Sequence, residues 1–233
     1  MKTSDPTKPL TTVLFDLDGT LSDPFEGITR CIQYAMEKMG AEVPEASTLG
    51  WCIGPPLWDS FEGLLNTKDR ALTDQAVAFY RERYAEKGMY ENTLIDGIES
   101  VVQELAAQNI KLLVATSKTN TYAGKIVEHF GLMPPIETVY GAEPDGARSD
   151  KAELIAHILE QESLSAAECV MIGDRKFDLI GARNNTVRSI GVLWGYGTRE
   201  ELEAENPDFL AEKAEQIVEW VTKQSNRALG GSS

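Results

Sequence analysis

Apolar and polar positions follow two different periods along this chain, and the period changes at both ends of one long segment. A continuous apolar run over residues 11–15 predicts a short buried strand. Over residues 24–92 the apolar side chains recur every three or four positions, which predicts helices and no strand. From Gly97 onward, short apolar runs alternate with segments of helical spacing. This alternation indicates an α/β fold with a parallel sheet and helices on both faces.

The helical segment separates the first strand from the rest of the sheet, so the sequence predicts an inserted domain. We expect a core formed by residues 1–23 and 93–233, and an all-helical cap formed by residues 24–92. The cap follows directly after the loop that ends the first strand. The strands expected after the cap are 110–115, 138–140, 169–172, 189–193 and, at the edge of the sheet, 209–210.

Two carboxylates appear where the first strand ends. Asp16 and Asp18 stand two residues apart and therefore share one face of an extended strand. Acids that emerge from an apolar strand are costly unless a cation or a chemical role compensates for them. The carboxyl ends of parallel strands meet at one edge of the sheet, where ligands bind in open α/β folds. The other polar residues expected at this edge are Thr116, Ser117, Lys151, Asp174 and Asp178.

This set of side chains indicates a phosphate site that contains a divalent cation. Carboxylates and a backbone carbonyl suit Mg2+, hydroxyls and backbone N–H groups suit phosphate oxygens, and a lysine neutralises charge. Each residue also has an ordinary structural interpretation when it is considered alone. Thr116 and Ser117 suit a helix N-cap, and Lys151 suits a solvated surface. Asp174 and Asp178 suit a turn and a helix cap.

Charge and composition limit the partners of the chain. Its 233 residues carry a formal net charge of −15, which disfavours binding to a nucleic-acid polymer or an anionic membrane. Cys31, Cys52 and Cys169 lie far apart, match no metal-binding spacing and favour reduced thiols. Residues 1–6 show no apolar signal core, and no apolar run is long enough to cross a membrane. We therefore expect a cytoplasmic monomer or weak dimer that acts on a small phosphorylated metabolite, with a loose tail at 230–233.

Four motifs carry a resemblance to a known family. They are Asp16-Leu17-Asp18-Gly19-Thr20, Thr116, Lys151, and Gly173-Asp174-Arg175-Lys176-Phe177-Asp178. With these motifs the chain resembles the haloacid dehalogenase-like phosphatase superfamily, and more closely the bacterial phosphoglycolate phosphatase-like proteins. Segments 53–57, 80–84 and 191–197 also resemble a branch described as 5′-nucleotidases. The resemblance implies a Rossmann-like core with a helical cap, and Mg2+-dependent hydrolysis of a phosphate monoester.

The resemblance also implies a role for each of these residues. Asp16 would be the nucleophile that takes the phosphoryl group, and Asp18 would protonate the leaving alcohol and then activate water. The metal ligands would be the Asp16 carboxylate, the Asp18 carbonyl and Asp174. Asp178 would support them through a metal-bound water or through Lys151. The phosphate would be held by Thr116, the Ser117 backbone and Lys151.

Residues of the expected cap bear on the choice between two substrate classes. Family members often carry an arginine four residues before the cap glycine, where it would contact an acidic substrate, whereas here Gly50 precedes Gly54, with Trp51 beside it. Lys151 is followed by Ala152 in place of the usual proline, as in the nucleotidase-like branch. These departures favour nucleoside 5′-monophosphates over 2-phosphoglycolate. Trp51 and Gly54 are the expected specificity residues, with Trp51 contacting a base. A sugar phosphomutase and a non-enzymatic phosphate-binding regulatory protein are the further alternatives.

Overall fold

The computed structural model describes residues 8–226. Its contacts separate two compact units. Among the described residues, one unit contains 8–21 and 94–226, and the other contains Ser22–Thr93. The predicted cap, 24–92, lies within the second unit. The segment 1–6 and the tail 230–233, which entered the predictions above, lie outside the described residues.

Over residues 8–226 the chain forms eight strands and nine α-helices. The strands are β1 (Thr12–Phe15), β2 (Ser22–Asp23), β3 (Thr93–Leu94), β4 (Lys111–Thr119), β5 (Thr138–Ala142), β6 (Cys169–Gly173), β7 (Arg188–Val192) and β8 (Phe209–Ala211). The helices are α1 (Phe25–Lys38), α2 (Leu57–Leu64), α3 (Arg70–Glu86), α4 (Ile98–Ala107), α5 (Asn120–His129), α6 (Lys151–Gln161), α7 (Lys176–Asn184), α8 (Arg199–Glu203) and α9 (Glu215–Ser225).

The first unit contains a six-stranded parallel sheet with the order β5-β4-β1-β6-β7-β8. The predicted α/β fold with a parallel sheet is therefore confirmed. β1 lies between β4 and β6, with Phe15 opposite Val114 on one side and Ile172 on the other. The carboxyl ends of these three strands therefore lie side by side at the centre of the sheet. A separate two-stranded sheet pairs β2 with β3.

The alternation of side chains along β1 decides which helix faces the residues that follow it. Leu14 belongs to the same buried cluster as Leu154 and Ile155 of α6. Side chains two residues apart in a strand share a face, so Asp16 leaves the sheet on the α6 side. Because α6 begins at Lys151, this geometry brings the Asp16 carboxylate towards the first turn of α6.

The second unit is built from α1, α2 and α3, as the helical periodicity of 24–92 predicts. Ile32 of α1 and Val77 of α3 are buried in its core. Tyr80 and Tyr84, one turn apart on α3, stack with ring centroids 5.3 Å apart, and Phe61 of α2 meets Tyr80 edge-on. These three aromatic side chains are therefore core residues of the second unit.

β4 is longer than the predicted strand 110–115. It ends at Thr119, so the polar residues expected after the strand lie within it. Its pairing with β5 changes register between Thr116 and Thr119, which marks a bulge. Gly141 of β5 makes room for the bulge, because a Cβ at this position would lie 2.5 Å from the Lys118 carbonyl oxygen. The extension depends on a neighbouring strand, and the local pattern of residues gives no sign of it.

Side-chain caps set the first residue of two helices. α3 begins at Arg70, where the Asp69 carboxylate caps the helix. α7 begins at Lys176, where the Asp178 carboxylate reaches back to accept a hydrogen bond from the Arg175 N–H. The five-residue helix α8 is too short to show a helical period.

Candidate active site

β1 delivers two carboxylates to the centre of the sheet edge. The Asp16 N–H donates to a carbonyl of β6 at 2.8 Å, so the ladder continues one residue beyond the strand. The chain then turns, with the Leu21 N–H donating to the Leu17 carbonyl at 2.9 Å. Gly19 takes a φ of +82° in this turn, a conformation that favours glycine. Asp16 and Asp18 are both buried.

Lys151 lies at the start of α6, directly after Asp150, whose carboxylate caps the helix. The Lys151 ammonium lies 3.0 Å from Asp16 Oδ1 and 2.7 Å from Asp178 Oδ1. It also donates to the Ala115 carbonyl of β4 at 2.8 Å. Lys151 is only 5% exposed, which excludes its interpretation as a solvated surface lysine. Burial lowers the pKa of Lys151, but the two carboxylates outweigh burial and leave the pKa raised, so the side chain is charged.

Asp174 follows β6 and is completely buried. Its carboxylate accepts a hydrogen bond from the Tyr196 N–H at 2.7 Å and another from the Thr20 hydroxyl at 3.4 Å. Burial raises the pKa of Asp174 well above its usual value, and the charges of Asp16 and Asp178 raise the pKa further. The Tyr196 N–H and the charge of Arg175 act in the opposite direction but do not cancel this rise in pKa.

Asp174 packs against three glycines, and only the absence of a Cβ at these glycines leaves room for its backbone and side chain. A Cβ at Gly19 would lie 2.3 Å from Asp174 Oδ2, and a Cβ at Gly195 would lie 2.3 Å from Asp174 Cβ. A Cβ at Gly197 would lie 2.1 Å from the Asp174 carbonyl oxygen. The segment from Gly195 to Gly197 therefore wraps closely around Asp174, and the Tyr196 N–H between these two glycines reaches the carboxylate. These glycines lie in segments that carry the family resemblance, but the local sequence indicates no role for them.

Asp178 completes a cluster of three buried carboxylates. One oxygen each from Asp16, Asp174 and Asp178 lie within 4.8 Å of one another. Burial raises the pKa of Asp178, although the charge of Lys151 opposes this effect. Three hard oxygen donors in a buried, negatively charged cluster fit a divalent cation such as Mg2+. The predicted ligands were Asp16, the Asp18 carbonyl and Asp174, and the structure adds the Asp178 carboxylate to the candidate donors.

Lys118 is a site residue that sequence analysis did not assign. Its ammonium lies 2.6 Å from Asp18 Oδ2, and both side chains are largely buried. Burial raises the pKa of Asp18, and the charge of Lys118 opposes this effect. The only signal in the sequence is that Lys118 follows Thr116 and Ser117. A lysine at the end of a strand is ordinary on a protein surface, so this position alone indicates no role.

Thr116 and Ser117 lie in β4 beside this pair. Thr116 is buried, and its hydroxyl oxygen accepts a hydrogen bond from the Lys118 N–H at 3.2 Å. The Ser117 hydroxyl donates to the Ser149 carbonyl at 2.9 Å. Neither residue caps a helix, because the residue that precedes α5 is Thr119. The structure therefore excludes the capping interpretation and brings both residues to the same strand ends as Asp16.

Trp51 and Gly54 belong to the second unit. Trp51 lies in a short 3-10 helix, Gly50–Cys52, and is 48% exposed, which is unusual for so large an apolar side chain. Its ring lies beside Gly63 of α2, where a Cβ would approach the Trp51 Cη2 atom to 3.0 Å. Gly54 takes a φ of +106°, which favours glycine at the turn before α2.

Comparisons with known proteins agree with this geometry. A family profile described as haloacid dehalogenase-like hydrolase matches residues 13–192. A 5′-nucleotidase of Pseudomonas aeruginosa is 45% identical over 195 residues, which are 84% of this chain and 88% of that protein. A tyrosine-protein kinase of Mycobacterium tuberculosis is 35% identical over 196 residues, which are 84% of this chain and 66% of that kinase. A solved structure of a "predicted phosphatase" from Clostridium acetobutylicum has a TM-score of 0.89 at 36% identity, covering 93% of this chain and 100% of that chain.

Within residues 8–226, no helix combines the length and the apolar character that crossing a bilayer requires.

Proposed function

The chain belongs to the haloacid dehalogenase-like hydrolase family and is a phosphatase, and from this premise we propose that it hydrolyses nucleoside 5′-monophosphates with Mg2+ through an aspartyl phosphate. The observation that carries the proposal is the buried cluster in which Lys151 joins Asp16 and Asp178. A carboxylate nucleophile needs a fixed orientation and a nearby positive charge when it attacks a phosphate dianion. This cluster supplies both conditions for Asp16.

In the first step, an Asp16 carboxylate oxygen forms a bond to phosphorus as the ester P–O bond breaks. The electron pair of the broken bond goes to the alcohol oxygen, which takes a proton from Asp18. The products of this step are the free alcohol and an acyl phosphate on Asp16. An acid at this position matters because the alkoxide of a nucleoside is a poor leaving group.

In the second step, Asp18 acts as a base. It takes a proton from a water molecule while the water oxygen forms a bond to phosphorus. The bond between phosphorus and the Asp16 oxygen breaks, so the Asp16 carboxylate and the protonated Asp18 are restored and inorganic phosphate leaves. The same pair of acids therefore serves both steps.

Three groups would hold the phosphoryl group between the two acids. Lys151 neutralises negative charge on Asp16 and on the transferring oxygens, and its burial makes that charge more effective than it would be in water. Thr116 and the Ser117 backbone lie on the neighbouring strand and would donate to phosphate oxygens. When bound, Mg2+ would supply positive charge to the phosphate oxygens, and Asp16, the Asp18 carbonyl, Asp174 and Asp178 are the residues that would hold it.

The choice of substrate rests on the relative from Pseudomonas aeruginosa, which is a 5′-nucleotidase with 45% identity over 84% of this chain. The cap sequence supports the same choice, because Gly50 stands where an arginine would favour an acidic alcohol such as 2-phosphoglycolate. Trp51 is the candidate for contact with a base, since its exposed ring offers a flat apolar surface. No observation favours the phosphomutase over hydrolysis.

A panel of phosphomonoesters tests this proposal. Inorganic phosphate release would be measured with Mg2+ for nucleoside 5′-monophosphates, 2-phosphoglycolate, sugar phosphates and p-nitrophenyl phosphate, with Asp16→Asn as the inactive control. We expect the highest kcat/KM for nucleoside 5′-monophosphates. A higher value for 2-phosphoglycolate would replace the proposed substrate. Sugar-phosphate isomerisation with little free phosphate would indicate a mutase, and phosphate binding without turnover would indicate the regulatory alternative.

A further inference from the structure

The two oxygens of the Asp18 carboxylate lie in different environments. Oδ2 lies 2.6 Å from the Lys118 ammonium. Oδ1 is buried and accepts no hydrogen bond from any of the residues 8–226. Buried polar atoms without a partner are rare in proteins and often mark a site of chemistry. One oxygen is therefore fixed by a charge, while the other is available for a proton or a ligand.

Lys118 reaches Asp18 from a different strand, and the backbone holds it there. It lies in the bulge at the end of β4, where its N–H donates to the Thr116 hydroxyl oxygen at 3.2 Å. The bulge passes so close to β5 that a Cβ at Gly141 would lie 2.5 Å from the Lys118 carbonyl oxygen and 2.7 Å from Asn120 Cα. The position of Lys118 is thus set by packing of the sheet, independently of the Asp18 loop.

We propose that Lys118 is a positioning residue that holds Asp18 by Oδ2, so that Oδ1 is the oxygen that exchanges the proton. This inference rests on the proposed acid and base roles of Asp18. As the ester bond breaks, the proton on Oδ1 passes to the alcohol oxygen, and the electron pair of the broken P–O bond forms the new O–H bond. The water that attacks in the second step returns a proton to Oδ1. Lys118 itself neither gains nor loses a proton.

The size of the effect follows from the geometry of proton transfer. Donor and acceptor must approach to about 2.6–3.2 Å, and a misplacement of about 1 Å can cost about a hundredfold in rate. A carboxylate without the Lys118 contact is free to rotate about its terminal bond, because that torsion is broad for aspartate. In the first step, the loss should appear where departure of the alcohol needs the proton, and much less where the leaving group departs unaided. In the second step, the loss should be the same for every substrate, because the aspartyl phosphate is the same.

A leaving-group comparison tests this role. We would measure kcat and KM of Lys118→Met for a nucleoside 5′-monophosphate and for p-nitrophenyl phosphate, with Lys111→Met as the matched control in the same strand. Lys111 pairs with Glu162 and has no contact with the Asp18 carboxylate, so its loss should leave both activities unchanged. We expect Lys118→Met to lower kcat/KM for the nucleotide about a hundredfold, through kcat rather than KM, with a much smaller loss of kcat/KM for the aryl phosphate. This ratio reports only the first step, whereas kcat also contains the attack of water, which both substrates share. In an Asp18→Asn background the same change should have no further effect.

Several results would overturn this role. They are equal losses of kcat/KM on both substrates, a higher KM at unchanged kcat, which would indicate direct contact with phosphate, or additive losses in the double variant. If Lys118→Met does not fold, Lys118→Arg is the test variant, because it keeps the positive charge on a longer side chain. A loss of kcat/KM that is smaller than hundredfold and confined to the nucleotide supports the proposal. An equal loss on both substrates, or no loss on either, contradicts it. Wild-type turnover and its loss in Asp16→Asn test the proposed function separately, so a failure of Lys118 alone leaves that function standing.

Discussion

Replacement of Lys151 by methionine should separate the contribution of its charge from that of its volume. The methionine fills similar space but leaves Asp16 and Asp178 buried without their shared cation. Breaking a buried ion pair by removing one partner costs about 3–5 kcal/mol. For a chain of this size, such a loss lowers Tm by roughly 6–20 °C. The charge also acts on the transferring phosphoryl group, and loss of one such donor typically lowers kcat by about 10²–10³-fold.

The assay measures kcat for p-nitrophenyl phosphate at saturating Mg2+, together with thermal unfolding of the same samples. Lys111→Met is again the control, because the Lys111 side chain is 31% exposed and pairs with a carboxylate outside the site. A pair of this kind contributes at most about 1 kcal/mol, so the control should unfold within a few degrees of the wild type and keep its kcat. A folded Lys151→Met protein with a kcat close to the control would refute the assigned role of Lys151.

Three further substitutions test the other assignments. Asp18→Asn should lower kcat/KM, which reports only the first step, more for an alkyl phosphate than for an aryl phosphate, since only the alkoxide needs the proton, and equal losses of kcat/KM on the two esters would speak against an acid. Asp174→Ala should raise the Mg2+ concentration needed for half-maximal activity and lower kcat, because the buried cluster loses one oxygen donor; activity that survives excess chelator would remove the metal from the mechanism. Trp51→Ala should lower kcat/KM for nucleotides and leave p-nitrophenyl phosphate turnover nearly unchanged, and parallel losses on both would indicate a structural role instead.

The sheet was predictable because its strands are buried and therefore apolar throughout. The apolar run of β1 identifies the strand without any knowledge of its neighbours, and alternation along it directs Asp16 to the same side as Leu14. The start of α6 could also be predicted from the local sequence, because Asp150 is an N-cap residue and directly precedes Lys151. Each of these two features can be predicted because its conformation depends on a few consecutive residues.

The remaining features depend on contacts between distant segments. The bulge that carries Lys118 is made possible by Gly141 in another strand, and nothing near Lys118 in the sequence reveals it. The Asp174 carboxylate is enclosed by Gly19 and Gly195, which lie on opposite sides of it along the chain. Asp178 was predicted as a supporting residue, and only the folded structure brings one of its oxygens within 4.8 Å of oxygens of Asp16 and Asp174. Local periodicity carries no information about such approaches.

The central claim is that Asp16 forms the covalent bond to phosphorus. Steady-state phosphate release by Asp16→Asn, purified in parallel with the wild type and checked for the same unfolding profile, tests this claim most directly. The amide cannot attack phosphorus but fills the same space, so the variant should fold and show no turnover with Mg2+ on any phosphomonoester that the wild type hydrolyses. Turnover by this variant above the background of a mock purification would contradict the account.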